Sequence, residues 1–156
     1  MAYQFCPRCG VRHRRVARVC NTEGCGYPTI IVNKNMQALA QRLYDCDFSV
    51  LAATSSISDT ADKSHKSVRL SIEFMAYYDI DRVFIDLPDG WSTYHTFSVH
   101  SGIVIDNITE LNCSFVYFHM GFCNVEDEIR TEVDKMIQWL SNSGHIACLR
   151  LAGFFL

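Results

Sequence analysis

Four cysteines close to the amino terminus have the residue type and spacing of metal ligands. Two residues separate Cys6 from Cys9, and four residues separate Cys20 from Cys25. An ion with four thiolate ligands at about 2.3 Å needs two pairs of sulfur atoms, and a tight turn of backbone presents each pair. The sequence therefore predicts a tetrahedral site, with Zn2+ as its ion and iron as the competing metal.

Proline and glycine residues beside the cysteines favour the required turns. Pro7 fixes one backbone dihedral angle in the first turn, and Gly10 can adopt the positive φ with which the chain leaves the metal. Gly24 and Gly26 supply bends around the second pair. About residues 5–28 therefore resemble the four-cysteine knuckle of the zinc ribbon and rubredoxin-like families, although the second pair in those families is usually closer. The resemblance implies a zinc site and a local hairpin-like fold, and it implies no activity.

Disulfides and thiols without a ligand are the alternatives to a metal site. No charged start followed by an apolar run stands in front of the cysteines, so we expect a cytoplasmic protein. Thiols stay reduced in that compartment, which favours the metal. No apolar run reaches the roughly 18 residues that span a bilayer, and we therefore expect no membrane partner.

Positive charge is concentrated around the cysteines. The segment up to Cys25 has five arginines and a single acid, Glu23, for a local charge of +4, whereas the rest of the chain has a charge of −7. The five are Arg8, Arg12, Arg14, Arg15 and Arg18. If residues 11–19 are extended, alternation places Arg12, Arg14 and Arg18 on one face. The sequence predicts a basic metal-binding module beside an acidic body.

These arginines are the candidate partner-binding residues. Guanidinium groups on a rigid support can bind phosphate oxygens in bidentate fashion, which makes nucleic acid one candidate partner. An acidic protein surface fits equally well, and the arginines could also only solvate the module or dock on its own body. Trp91 follows a turn, so we expect it to be partly exposed and name it as a candidate interface anchor, although a lid over the edge of the core is the more common role. A homo-oligomer stays an open alternative.

Length and composition indicate one domain of ordinary size with a small appendage. The chain has 156 residues, of which 49% are hydrophobic, and this is enough for a substantial core. We predict a zinc-ribbon-like module at residues 1–30 and an α+β domain at residues 31–156. The domain is expected to contain a mixed, largely antiparallel sheet and two main helices.

Hydrophobic periodicity predicts the elements of the α+β domain. Alternating or continuous apolar residues predict strands at 29–32, 48–53, 68–74, 82–85, 94–99, 102–105 and 113–120. Helical spacing predicts one helix over about 36–46 and a longer one over about 125–142. Asn124 is expected to cap the longer helix and Gly144 to end it before a last strand at 146–151. Residues 55–66 are polar and aperiodic, which predicts a surface loop.

Acidic residues beside short strands are the first alternative that points to an enzyme. Asp79, Asp81, Asp86 and Asp89 could bind Mg2+ in phosphoryl transfer. An enzyme acting on a nucleotide or nucleic acid would then have its site between the 55–66 segment and Asp86 and Asp89. Acids beside turns more often only form the turn, which favours a structural role.

A cysteine–histidine pair is the second enzymatic alternative. The thiol of Cys113 or Cys123 would be the nucleophile, and His100 or His119 would be the base. Buried structural cysteines and histidines are the more common reading, and the usual catalytic motifs are absent. We therefore expect a non-enzymatic binding or regulatory protein, for example an accessory or inhibitor protein of a virus or mobile element. A purely structural subunit of an assembly is the third hypothesis.

Overall fold

A computed structural model describes residues 1–14, 17–61, 65–75, 79–118 and 124–151. Its described strands form one sheet in the order β2-β1-β3-β4-β5-β7-β6. The strands are β1 (Ala2–Phe5), β2 (Arg12–His13), β3 (Ile30–Asn33), β4 (Val50–Asp59), β5 (Lys66–Phe74), β6 (Trp91–His100) and β7 (Ile103–Tyr117). The helices are a 3-10 turn (Lys34–Met36), α1 (Gln37–Asp45), α2 (Ile80–Val83) and α3 (Val125–Leu151). The predicted α+β class with two main helices, α1 and α3, is confirmed.

Strand directions in the sheet are mixed and largely antiparallel, as predicted. The pairs β1–β2, β1–β3, β4–β5, β5–β7 and β6–β7 are antiparallel. Among the described strands, only β3 and β4 are parallel neighbours, and α1 connects them, because parallel neighbours require a crossover. Since β1 and β2 belong to this same sheet, the amino-terminal segment extends the sheet of the body. The division into residues 1–30 and 31–156 stays a prediction.

The hydrophobic core lies between the sheet and the helices. In β5, Val68, Leu70 and Ile72 are fully buried, and the residues between them face the other side of the sheet. The helices contribute the fully buried residues Leu39, Leu43, Ile129 and Met136. None of the described helices combines the length and hydropathy that crossing a bilayer would require.

The predicted surface loop at 55–66 is wrong for half of its length. Strand β4 continues to Asp59 and β5 begins at Lys66, so the two strands form a hairpin with a short connection. Ser55 pairs with Leu70 and Ile57 with Val68 across this hairpin. This serine-rich segment has a weak propensity for strand structure. It forms a strand because it pairs with β5, whose apolar and polar residues alternate clearly.

Two further strand predictions need correction. Residues 80–83 form the short helix α2, so the predicted strand at 82–85 is wrong. The predicted strands at 102–105 and 113–120 belong to one strand, β7, whose polar middle pairs with both β5 and β6. The five polar residues among 106–112 obscured this continuity, because they interrupt the apolar alternation that indicates a strand. Residues 119 and 120 lie outside the described part.

The end of the long helix is also different from the prediction. Helix α3 runs through Gly144 to Leu151, so the stop at Gly144 and the last strand at 146–151 are wrong. A Cβ atom on Gly144 would lie 3.1 Å from the Sγ atom of Cys46, at the end of α1. The glycine therefore allows two helices to approach closely instead of ending one. The predicted cap is confirmed, because Asn124 Oδ1 accepts a hydrogen bond of 2.9 Å from the backbone N–H of Asp127.

Candidate metal centre

The Sγ atoms of the four amino-terminal cysteines converge on one point. All four lie within 4.8 Å of one another. The distance is 3.6 Å between Cys6 Sγ and Cys25 Sγ, and 3.5 Å between Cys9 Sγ and Cys20 Sγ. Ligand bonds of about 2.3 Å in a tetrahedron place sulfur atoms about 3.8 Å apart. The arrangement therefore fits a tetrahedral metal ion.

The first pair of ligands is presented by a tight turn that its backbone hydrogen bonds define. The N–H of Gly10 donates to Cys6 O at 2.8 Å, and the N–H of Cys6 donates to Val11 O at 2.9 Å. Gly10 has a φ of 76°, which a residue with a Cβ atom rarely adopts. The turn brings Cys9 back beside Cys6, as the spacing predicted.

The second pair lies on a wider turn that accommodates its longer spacing. The N–H of Cys20 donates to Tyr27 O at 2.7 Å, and the N–H of Cys25 donates to Thr22 O at 3.0 Å. Gly24, inside the pair, has a φ of 77°. The extra residues therefore form a turn of their own and still return Cys25 to the first pair.

Burial and hydrogen bonding give the thiols unequal environments. Cys6 and Cys20 are buried, Cys25 is partly buried and Cys9 is exposed. Burial raises the pKa of the Cys6 thiol to about 12. The Thr22 hydroxyl, by hydrogen bonding, is the main cause that lowers the pKa of Cys20 to about 6, and a hydrogen bond with His13 acts in the same direction. His13 was not predicted to support the site.

The sulfur distances also exclude disulfides between these cysteines in the structure. A disulfide bond is about 2.05 Å long, whereas the shortest sulfur separation described here is 3.5 Å. Within the described ranges, this is the one group of three or more His, Cys, Asp or Glu side chains that could hold a metal ion.

Four described contacts attach the cysteine turns and strands β1 and β2 to helix α1, and none of them was predicted. Gln41 Nε2 donates to Pro7 O at 2.9 Å. The rings of Tyr27 and Tyr44 meet edge to face with centroids 5.3 Å apart. Gln37 accepts hydrogen bonds from Tyr3 and Arg12. A sequence offers no periodic signal for such contacts, since they join segments that are remote in the chain.

The five predicted arginines fall into different environments. Two of them lie on aromatic rings of their own chain. The guanidinium carbon of Arg12 is 4.6 Å from the ring centroid of Tyr3, and that of Arg8 is 5.9 Å from the centroid of Tyr27. Both contacts lie within the amino-terminal segment, so they hold these guanidinium groups against its own aromatic rings.

The other arginines are exposed or lie outside the described residues. Arg14 and Arg18 are exposed and make no side-chain hydrogen bond or ion pair within the part of the chain that the structure describes. Arg15 is outside the described residues. Strand β2 covers only Arg12 and His13, where the predicted alternation holds, since Arg12 is exposed and His13 is buried.

Trp91 is buried, so the expectation that it is partly exposed is wrong. Its exposed fraction is 6%, and its indole N–H donates to the backbone carbonyl of Glu132 at 3.2 Å. The turn before it places the indole against α3, because β6 begins at this residue and directs the side chain into the core. Its predicted role as an interface anchor therefore has no exposed surface to support it.

The candidate catalytic acids have local roles in the structure. The backbone carbonyl of Asp86 accepts a hydrogen bond of 2.8 Å from Trp139, and that of Asp89 accepts one of 3.1 Å from Lys135. Asp81 accepts a hydrogen bond from Thr93. Asp79 lies 3.9 Å from the guanidinium group of Arg82. These contacts are those of turn and helix residues.

Of the four residues in the cysteine–histidine alternative, the structure describes the side chain of Cys113 alone. Cys113 is 1% exposed, and burial raises the pKa of its thiol to about 12, so it is a poor nucleophile. Cys123 and His119 lie outside the described residues, as does the side chain of His100.

Comparisons of the chain with protein-family models, with curated proteins and with solved structures give no match.

Proposed function

We propose that this protein is a zinc-containing, non-catalytic binding protein whose amino-terminal arginines contact the phosphates of a nucleic acid. Cys6, Cys9, Cys20 and Cys25 bind one zinc ion as thiolates. The observation that carries the proposal is the convergence of these four sulfur atoms in a site built from two turns. The arginines lie on and between those turns.

The ligand set favours zinc in a structural role. Four protein ligands complete a tetrahedral shell and leave no open position for a water or a substrate. The first turn, with proline and glycine around its cysteines, is similar to a zinc ribbon knuckle. Apparent binding free energies of about 10–16 kcal/mol make such an ion decisive for the folding of a short segment.

Charge and exposure support nucleic acid as the partner. The first 25 residues have a net charge of +4 from side chains, and Arg14 and Arg18 project into solvent without a described partner. Zinc with four thiolates has a formal charge of about −2, which offsets part of this charge at short range. A rigid support reduces the entropy lost when a guanidinium group binds a phosphate.

An acidic protein surface is the second candidate partner, and one observation favours it. Val11 and Val19 are 38% and 55% exposed beside the arginines. Apolar side chains at a charged surface suit a protein interface, where they lose water on contact, better than a phosphate backbone.

Fluorescence anisotropy with labelled single-stranded and double-stranded oligonucleotides tests the proposal. Zinc-loaded protein is titrated at several salt concentrations between about 50 and 200 mM. The double variant Arg14→Glu, Arg18→Glu should bind at least tenfold more weakly and show a flatter dependence on salt, by about one unit of slope for each lost phosphate contact. Arg82→Glu, which changes an exposed arginine in α2, is the matched control and should bind like the wild type.

Two outcomes contradict nucleic-acid binding. One is an affinity that does not depend on salt, and the other is equal binding by the double variant and the wild type. A labelled polyglutamate peptide, titrated in parallel, separates the second candidate. If the wild type binds that peptide and not the oligonucleotides, and the double variant no longer binds the peptide, the partner is an acidic protein surface.

A further inference from the structure

Strand β4 has a free edge along its second half. Strand β3 ends at Asn33, and its parallel pairing with β4 covers only Ala52 and Ala53 of β4. Strand β4 continues to Asp59 with β5 on one side. On the other side, no strand among the described residues accompanies it past the end of β3.

The direction of the backbone groups on this edge follows from one hydrogen bond. The backbone N–H of Ser55 donates to Asn33 Oδ1 at 2.8 Å, so the peptide groups of Ser55 face the side of β3. Backbone groups alternate in direction along a strand, which places those of Ile57 and Asp59 on the same side. The peptide groups of Ser56 and Ser58 face β5. The N–H and C=O groups of Ile57 therefore lie on the free edge.

A cleft follows this edge and separates it from helix α3. Its volume is about 850 Å³, and it lies between Ser55 and Ile57 of β4, the start of α1 and one face of α3. Pockets that bind ligands in proteins have volumes of about 300–1,000 Å³. The strand edge offers backbone hydrogen bonds along one wall, and the helix offers side chains along the other.

The side chains along the cleft alternate between apolar and charged. Val133 and Ile137 form an apolar strip on α3 beside the 42% exposed side chain of Ile57. Arg130 and Asp134 lie on the same helix, and Lys34 lies at the end where β3 stops. Arg130 is 3.9 Å from Asp127 in a surface ion pair, which is weak.

We propose that this cleft binds an extended peptide segment of a partner protein, which adds a strand to β4. The peptide would continue the line of β3, and its backbone would pair with Ile57 and Asp59. The free edge from Ser55 to Asp59 is about 17 Å long at about 3.3 Å per residue, which is enough for a short strand. Apolar side chains of the peptide would contact Ile57 and Ile137.

A single extended chain fits the cleft better than a second copy of this protein. The edge forms a wall of a cleft beneath α3 instead of an open rim of the sheet. A second β4 edge would enter together with its own β5 and α3, which need more room beside the first α3 than one extended chain needs. A free peptide has no such attachment. Its charged side chains would contact Arg130, Asp134 and Lys34. We therefore expect apolar and charged residues to alternate in the sequence of the partner peptide.

Selection from a phage-displayed library of random short peptides, with the full-length zinc-loaded protein as target, tests this proposal. Enriched peptides are synthesised and measured by fluorescence anisotropy against three variants. Ala38→Trp fills the cleft, and Ile57→Pro removes the edge N–H while leaving the bonds to β5, which the neighbouring residues make. Gln138→Trp, at an exposed position of α3 outside the cleft, is the matched control.

The expected result has two parts. Enriched peptides bind the wild type and Gln138→Trp equally, and they bind Ala38→Trp and Ile57→Pro at least tenfold more weakly. In amide hydrogen exchange, the peptide slows the N–H groups of Ile57 and Asp59. If Ile57→Pro does not fold, amide hydrogen exchange of the wild type and peptide binding by Ala38→Trp still test the proposal.

Three results would overturn the proposal. The first is a library with no enriched peptide, and the second is an enriched peptide that binds Ala38→Trp as tightly as the wild type. The third is a concentration-dependent dimer of the wild type that Ala38→Trp abolishes, because the cleft would then be an interface between two copies.

Discussion

The side-chain amide of Gln41 donates a hydrogen bond of 2.9 Å to the backbone carbonyl of Pro7. Pro7 lies between the first two cysteines, and Gln41 lies in the middle of α1. The contact therefore joins the turn that presents two sulfur atoms to the helix that covers the sheet. It makes the geometry of the cysteine cluster depend on the body of the protein.

Gln41→Ala is expected to loosen the cluster. The variant loses the partly buried hydrogen bond to Pro7, which typically contributes about 1 kcal/mol to the free energy of unfolding, and an exposed hydrogen bond to Asp45. Zinc should transfer to a competing chelator severalfold faster, because the turn at Pro7 opens more often. Stopped-flow absorbance of a zinc indicator measures that rate. Gln138→Ala, on the exposed side of α3, is the control. Equal rates of zinc transfer in both variants would show that the Gln41–Pro7 hydrogen bond has no effect on metal binding.

The metal ligands were the most predictable part of this site, because their chemistry requires a fixed residue type at a short spacing. The contacts that hold the ligands in place were not predictable in the same way. Gln41, Tyr44 and Gln37 occupy ordinary positions of an amphipathic helix, and their contacts exist only after the chain has folded. The influence of the buried His13 on the Cys20 thiol had no signal in the sequence either.

The errors in the fold share a physical cause. The polar second half of β4 and the polar middle of β7 have weak strand propensity, and both are strands because strong neighbours pair with them. Gly144 has the residue type of a helix end, yet tertiary packing against Cys46 determines its role. Helix propensity and caps describe local energy, and contacts between distant elements override them.

Gly144→Val is expected to destabilise the protein. A side chain at this position meets Cys46 Sγ and Leu140 at distances from 3.1 Å, so the two helices must move apart. Overpacking of this kind costs about 2 kcal/mol. Urea denaturation followed by circular dichroism measures the change. Asn142→Val, at an exposed position of the same helix, should change the free energy of unfolding by less than about 0.5 kcal/mol. Equal costs for both variants would contradict the close approach.

Glu110→Ala is expected to cost stability although Glu110 lies on the opposite face of β7 from the core residues Leu111 and Cys113. Its carboxylate is 6% exposed and accepts hydrogen bonds from Arg69 at 2.5 Å, Ser71 at 2.9 Å and Asn112 at 3.3 Å. Hydrogen bonds to a charged group contribute about 2 kcal/mol, although half of the Arg69 side chain is exposed to water, which screens its part.

The matched control for Glu110 is a second ion pair of the same sheet, which joins β4 and β5. Asp59 and Lys66 are 3.1 Å apart, and both are more than half exposed. Asp59→Ala should therefore change the free energy of unfolding by less than about 0.5 kcal/mol. Denaturation curves that show no larger loss for Glu110→Ala than for Asp59→Ala would contradict the importance of the buried carboxylate.

Cys113 gives the protein a defined dependence on alkaline pH. Burial, reinforced by the charge of Glu132, raises the pKa of its thiol from 9.0 to about 12. Above pH 9 the unfolded chain loses this proton while the folded protein keeps it, so stability falls as the pH rises from 9 towards 12. The loss is at most about 1.4 kcal/mol per pH unit.

The comparison of wild type with Cys113→Ser isolates this contribution. The free energy of unfolding of the wild type minus that of the variant should be constant below pH 8. Above about pH 9 this difference should fall, because only the wild type loses stability when the thiol ionises. Native Cys113 should also resist alkylation by iodoacetamide until the protein unfolds, since its side chain is buried. A difference that stays constant to high pH would show that the thiol ionises as freely in the folded protein as in the unfolded chain.

The most direct test of the account is zinc-edge X-ray absorption spectroscopy of purified, reduced protein, with the metal content measured on the same sample. We predict about one zinc per chain, bound by four sulfur atoms at about 2.3 Å. Cys20→Ser should lose the metal or exchange one sulfur for oxygen, whereas Cys46→Ser, a cysteine outside the cluster, should leave the spectrum unchanged. A protein without stoichiometric metal, or a zinc shell dominated by nitrogen and oxygen, would contradict the account.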